Sequence, residues 1–415
     1  MLRFDRHPSL RRRCERASEV APPMPAFHSP APDEGRSMSK WFVGAALCCA
    51  AASACAQQGG SAQVYGFLYS GLRHVNDTGG GSLNGLATGP SRWGLRGAED
   101  LGDGLSVNFV LEGGFDLGSG NLRQGGRAFG RQAFVGLAGK DLGSLTFGRQ
   151  YDLVAAWIAP YVPSGKWNGY MSHVGDNDNL NWQFRINNAV KYVTPAVNGF
   201  QAGVLYGFGE AAGNSRQNST ASLGVSYKAD GLSLAAAYLR VNNPAAAVAE
   251  GNWNTILFPA VSATSPLSAK PVTPDKMTVA AAGGDYTSGA FKYAASYTRS
   301  TFKQIGTAIT GVPNTDVGFQ NVDANLTYSI TPQWQAGAGY AYTKGDVDVT
   351  GFKPKYHQLN LMTNYFLSKR TILQAAVIHQ RAAGDARHAY ILFGSNAVSS
   401  TDRQTMLLAG IFHVF

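Results

Sequence analysis

Beyond residue 56 the chain has no cysteine, because Cys14, Cys48, Cys49 and Cys55 all precede Gln57. That excludes a disulfide framework, thiolate metal ligands and a cysteine nucleophile from everything downstream. An exported chain of this kind gains nothing from an oxidising compartment, so hydrogen bonds and packing must hold it. Long apolar runs are also missing after residue 56. Charged or amide side chains interrupt each candidate, and no transmembrane helix is expected. Catalytic signatures are lacking too: there is no HExxH, GxSxG, P-loop or CxxC pattern. The histidines of this region (His74, His173, His357, His379, His388 and His413) are scattered. No enzymatic activity, cofactor or metal is expected.

What precedes Gln57 falls into two parts. Residues 38–56 carry Lys40, an apolar run and a small-x-small ending at Ala54-Cys55-Ala56. This layout predicts a secretory signal peptide cleaved before Gln57. The run is too short to cross a bilayer comfortably, which takes about 20 residues. Lipidation at Cys55 is the competing reading, weakened by Ala52 where a leucine usually stands. Residues 1–37 hold seven arginines, five acids and six prolines with almost no apolar periodicity. A start assigned too far upstream, with Met38 the true initiator, is the expected explanation; a disordered tail is the alternative. The apolar stretch lies too far from Arg11-Arg12-Arg13 for a twin-arginine export signal. These two parts account for three units of the formal charge of +9, leaving +6 on residues 57–415. Such a mild excess fits an anion-attracting surface and does not indicate nucleic acid.

What is present is period two. Leu105, Val107, Phe109 and Leu111 alternate with Ser106, Asn108 and Glu112. Val322, Ala324, Leu326, Tyr328 and Ile330 oppose Asp323, Asn325, Thr327 and Ser329, and Leu359, Leu361 and Tyr365 oppose Gln358, Asn360 and Asn364. Similar dyads occur at 200–206 and 333–342, and the alternation predicts strands. A soluble β-sandwich alternates as well. However, a series of strands running some 350 residues without helical segments exceeds what one sandwich core usually organises. Apolar runs also begin or end in Tyr206, Tyr227, Tyr238, Tyr297, Tyr328, Trp334, Tyr340 or Tyr365. Membrane interfaces select aromatics at strand ends.

The connections come in two lengths. Asp103-Gly104, Asp230-Gly231 and Ser368-Lys369-Arg370 are minimal, whereas 75–90, 152–183, 241–275 and 301–319 are long and polar. Short turns on one side and long loops on the other are the asymmetry of an outer-membrane barrel. The last strand places Leu407, Ala409, Ile411, His413 and the terminal Phe415 on one face. An aromatic final residue on such a strand is typical of barrels delivered to the outer-membrane insertion machinery. Dividing the 359 residues of 57–415 among an even number near 16 leaves about 22 for each strand and connection.

These stretches resemble the trimeric general porins of Gram-negative bacteria, in particular their beta-proteobacterial branch. The resemblance is carried by VYGFLYSGL (64–72), SRWGLRGAEDLGDGL (91–105), RQAFVGLAGKDLGSLTFGRQYD (131–152), RINNAVKYVTPAVNGFQAGVLYGFGE (185–210), YFLSKRT (365–371) and SSTDRQ through Phe415. It implies an all-β fold: a 16-stranded antiparallel transmembrane barrel over 57–415, with an inward-folded third loop. It also implies a homotrimer in the outer membrane that passes small hydrophilic solutes and ions. A basic ladder at the pore constriction carries over to Arg92, Arg131 and Arg185, with Arg149 a fourth candidate and Arg73, Arg96 and Arg127 further ones.

Local patterning supports parts of this ladder. Trp93 and Leu95 toward lipid place Arg92 toward the lumen, and Phe134 toward lipid places Arg131 there. Arg149 shares parity with Leu145 and Phe147, so its frame is less clear. A charge on the lipid face near the midplane costs roughly 2–4 kcal/mol. The inward loop is expected at 152–183, containing Asp152, Lys166, Trp167, Asp176 and Asp178. Enteric relatives carry a PEFGG motif with its acids where this chain has APYVPSGKWNGYM, and Phe67 replaces a basic residue. A depleted acidic loop facing arginines predicts weak anion selectivity. A substrate-specific channel for organic acids or phosphate is the alternative. Asp176 and Asp178 alternate with Asn177 and Asn179, a pattern that oxygen-ligand cation sites use and that ordinary polar loop tips share.

Overall fold

The computed structural model describes residues 60–89, 91–251, 273–305, 315–348 and 351–415. The expected extension 1–37 and signal 38–56 lie outside the described residues. From Ser61 onward, alternating sequence becomes one antiparallel sheet in which consecutive strands pair. The sheet closes because the first strand, Ser61–Val75, pairs on one side with the last, Arg403–Val414. Its other side pairs with Leu83–Ala87 above and Arg92–Gly102 below, which together occupy one interrupted strand position. The result is a closed barrel of 16 strand positions, as the periodicity and the resemblance led us to expect. Phe415 continues the seam beyond the last strand: its N–H and C=O both bond Gly66, at 3.0 and 3.1 Å.

Orientation follows the dyad. Val322 is 42% exposed where its neighbour Asp323 is 1% exposed, so the apolar residues face outward. Tyr206, Tyr238, Tyr297, Tyr328, Trp334, Tyr340 and Tyr365 also lie exposed on the outside. Short turns cluster at one end. At Asp103-Gly104 and Asp230-Gly231 both residues have positive φ, between 39° and 82°, as two-residue hairpin turns require. The opposite end carries the long connections, and the loop of 75–90 contains the short strand Leu83–Ala87. Among the described residues, helical structure, not expected from the patterning, is confined to short loop segments such as Leu153–Trp157, Pro163–Lys166 and Pro244–Ala247.

With its apolar face turned outward, the barrel forms its core on the inside. The long connection 152–183 folds inward, and Leu153, Val154, Ile158 and Val162 bury against Leu205, Leu239 and Val279 of the wall. Two tryptophans set how closely it lies. Trp157 sits against Gly203 and Gly224, and Trp167 against Gly337 and Gly339, where a Cβ would meet the indole at 2.8–3.1 Å. Asp152 caps the helix Leu153–Trp157 by accepting the N–H groups of Val154 and Ala155 at 2.9 and 3.0 Å. The same carboxylate accepts Asn179 Nδ2 at 3.0 Å, tying the two ends of the loop together.

Candidate pore site

Two cavities of about 280 and 370 Å³ lie along the interior, and both reach Arg131, Gly169, Asn181 and Trp182. The first is walled by Phe67, Arg92, Lys166, Trp167, Gln374 and Phe412. The second, toward the long loops, is walled by Arg73, Thr88, Asp116, Arg123, Tyr170 and Phe393. Arg92 opens the strand Arg92–Gly102 and points inward, as expected. Arg131 also points inward, but for a different reason from the one the patterning gave. Phe134 pairs with Val110 on the lumenal side, while Val135 and Leu137 are the exposed residues. Arg131 precedes the strand Gln132–Gly139, so strand parity does not govern its side chain.

Glu112 links the two arginines. Arg131 Nε donates to its Oε1 at 2.6 Å, and Arg92 Nε lies 3.7 Å from Oε2. Tyr65 Oη donates to Oε2 at 2.9 Å. The Arg92 guanidinium also lies 4.3 Å from the Phe67 ring centroid, a cation–π contact that holds it against the wall. Glu112 sits on the polar face of a recognised alternating strand, in lumenal register with Arg92. That parity was the available signal, and nothing in it marked this acid as the arginines' partner.

Arg149 and Arg185 line neither cavity. Arg185 is buried, donates to Tyr151 Oη at 2.9 Å and stacks 5.0 Å from the Tyr151 ring centroid. Arg149 donates to Gly130 O at 2.8 Å and pairs with Glu250, which also accepts Arg127 at 3.1 Å and the Arg185 N–H at 3.1 Å. A register shift between Gly148 and Gln150 turns Arg149 off the outward parity of Phe147. Glu250 belongs to the long connection that follows the strand Leu232–Asn242, and no periodic signal pointed to it. Arg96, also considered for the lining, bonds Gln63 at 2.9 and 3.1 Å instead.

The acids of the inward loop face away from these arginines. Asp152 is spent on the helix cap. Asp178 Oδ2 accepts Thr298 Oγ1 at 2.5 Å and Asn321 Nδ2 at 3.1 Å on the opposite wall. Asp176 Oδ1 accepts the Asn181 N–H at 2.9 Å. Asn177 and Asn179, which alternate with these acids in the sequence, use their oxygens elsewhere. Asn177 Oδ1 takes Ser300 and Asn321, and Asn179 Oδ1 takes the Phe184 N–H. Trp167 donates its indole N–H to Thr327 Oγ1 at 3.2 Å. Lys166 reaches Asn325 Oδ1 at 3.3 Å, and burial followed by the Lys292 charge pushes its amine down to about 8.

A closed barrel with an apolar exterior, a polar lumen and a loop folded inside it defines a transmembrane β-barrel of the channel type. The pattern of the Gram-negative porin family matches residues 44–385. The chain belongs to that family and resides in the outer membrane. An outer membrane porin protein of Bordetella pertussis is 38% identical over 189 residues, 41% of this chain and 48% of that one. Outer membrane porin protein 32 of Delftia acidovorans is 37% identical over 188 residues, 42% and 50% of the two chains. The chain thus spans about half the length of the curated relatives it matches. Among solved structures, the anion-selective porin from Comamonas acidovorans has a TM-score of 0.68 at 22% identity, covering 86% of this chain and all of its own. The trimer form of the Vibrio cholerae outer membrane protein OmpT gives 0.60 at 16% identity, with 86% and 100% covered. These structural likenesses show the fold.

Proposed function

We propose that this porin is a passive diffusion channel for small hydrophilic solutes and ions, weakly selective for anions, with its constriction at Arg92 and Arg131. The observation that carries the reading is the imbalance around the two cavities. Two lumenal arginines share one carboxylate, Glu112, while Asp152, Asp176 and Asp178 of the inward loop all bond away from them. A ring of fixed cations in a pore favours anions, and arginine stays charged at every relevant pH. Replacing both residues (Arg92→Gln with Arg131→Gln) leaves Glu112 as the uncompensated charge. The zero-current potential in a salt gradient should then move toward cation selectivity. An unmoved potential would place the selectivity elsewhere.

The alternative, a channel specialised for organic acids, draws support from the apolar faces of Phe67, Trp167 and Phe412 beside the same cations. Current block by an aromatic carboxylate that saturates with concentration favours this second reading; block that rises linearly favours the general pore. Assembly as a homotrimer is part of the proposal, supported by the trimer form of the Vibrio cholerae relative.

A further inference from the structure

Behind the inward loop, on the side away from Arg92 and Arg131, four titratable side chains are packed together. His173, Asp176 and Asp178 come from the loop and Asp323 from the facing strand Val317–Thr331, each at most 4% exposed. We propose that His173, Asp176 and Asp178 bind a divalent metal ion of the zinc class, which fastens the inward loop to the barrel wall.

Each donor has one atom held by the protein and one left over. Asp178 fixes Oδ2 on Thr298 and Asn321, leaving Oδ1 to face His173 Nε2 at 3.2 Å with only the Leu180 N–H on it. Asp176 fixes Oδ1 on the Asn181 N–H, and its buried Oδ2 has no hydrogen-bond partner. His173 Nε2 is likewise buried and has no hydrogen-bond partner, with Asp178 Oδ1 3.2 Å away. A ligand atom from each of the three lies within 4.8 Å of the others. Two ligands of a tetrahedral ion with bonds near 2.0–2.2 Å stand about 3.3 Å apart. His173 and Asp178 already keep that spacing, and the Asp176 atom, within 4.8 Å of both, would have to move in by at most about 1.5 Å to complete the triangle.

Asp323 supplies what metal-bound histidines commonly use. Its Oδ2 lies 3.2 Å from His173 Nδ1, so it accepts the Nδ1–H and leaves the Nε2 lone pair available beside Asp178 Oδ1 and Asp176 Oδ2. Carboxylates in this position orient the ring and raise its basicity as a ligand. The donor set selects the metal. One imidazole and two carboxylates suit zinc, with an open fourth position for water, whereas calcium takes six to eight oxygens. The competing occupant is a proton on Nε2, which would make His173 an imidazolium between Asp178 and Asp323.

The experiment is zinc content per chain by mass spectrometry, on detergent-purified folded barrel loaded with Zn²⁺ and passed through gel filtration. Asp176→Asn is the central variant, because it keeps the oxygen that accepts the Asn181 N–H and so preserves the fold. The wild type should retain about one Zn²⁺ per chain, and Asp176→Asn should lose it. Asp323→Asn, which touches no metal, should bind about 10–100-fold more weakly. A Co²⁺ titration supplies an independent readout through the visible absorption of a tetrahedral site. Folded wild type that retains no zinc and develops no cobalt band would overturn the proposal in favour of the imidazolium. Equal retention by wild type and Asp176→Asn would overturn it by placing the metal elsewhere.

Discussion

At the scale of single residues, the decisive group is a carboxylate. Glu112 offsets part of the charge of Arg92 and Arg131, so removing it has the opposite consequence to removing them. Glu112→Gln should raise the anion-to-cation permeability ratio, while Arg92→Gln alone should lower it; shifts of the same sign would break the account. Lys166 adds a pH-dependent charge to the same cavity. Its amine titrates at about 8, pushed down by burial and by Lys292, with Asp285 opposing. It is cationic below that pH and neutral above it. Anion preference should therefore weaken as pH rises through about 8, and Lys166→Met should abolish this pH response.

Some of this was legible in single residues. The inward direction of Arg92 is legible because Trp93 and Leu95 fix the frame of the strand that it opens. Arg131 was chosen with the wrong frame, since it stands before its strand begins and Phe134 faces the lumen. Arg149 was ambiguous by parity for a physical reason: the ladder slips between Gly148 and Gln150, and alternation stops reporting direction there.

At the scale of elements, the inward loop is held by shape as much as by polarity. Trp157 and Trp167 lie in hollows left by wall glycines, and the Asp152 cap joins the loop's ends. Gly337→Val puts methyl groups where the Trp167 indole lies 2.8 Å from an added Cβ. Overpacking of this kind typically costs about 1–3 kcal/mol. The variant should unfold at lower temperature and show noisier single-channel current as the loop lifts. An unchanged record would mean that Trp167 does not position the loop. The loop's location could be read from its length and from the GRQYD stretch before it, but its short helices could not. Five- and four-residue helices carry no periodicity to detect, and Glu250 arrives from a connection remote in sequence.

At the scale of the whole molecule, the barrel was the most legible feature. Dyad alternation and aromatic strand ends each follow from lipid outside and water inside, and the two classes of connection mark the barrel's two ends. The interruption of the second strand position between Ala87 and Arg92 was not visible, because a broken strand reads as two short dyads. The channel's field is a property of all the fixed charges together, and it is screened by salt over about 10 Å at 0.1 M. The central claim is that this field favours anions, and the most direct test is the zero-current potential of the wild-type channel across a shallow KCl gradient. The account predicts an anion-selective sign that shrinks as the mean salt concentration rises. A cation-selective sign at low salt would contradict it.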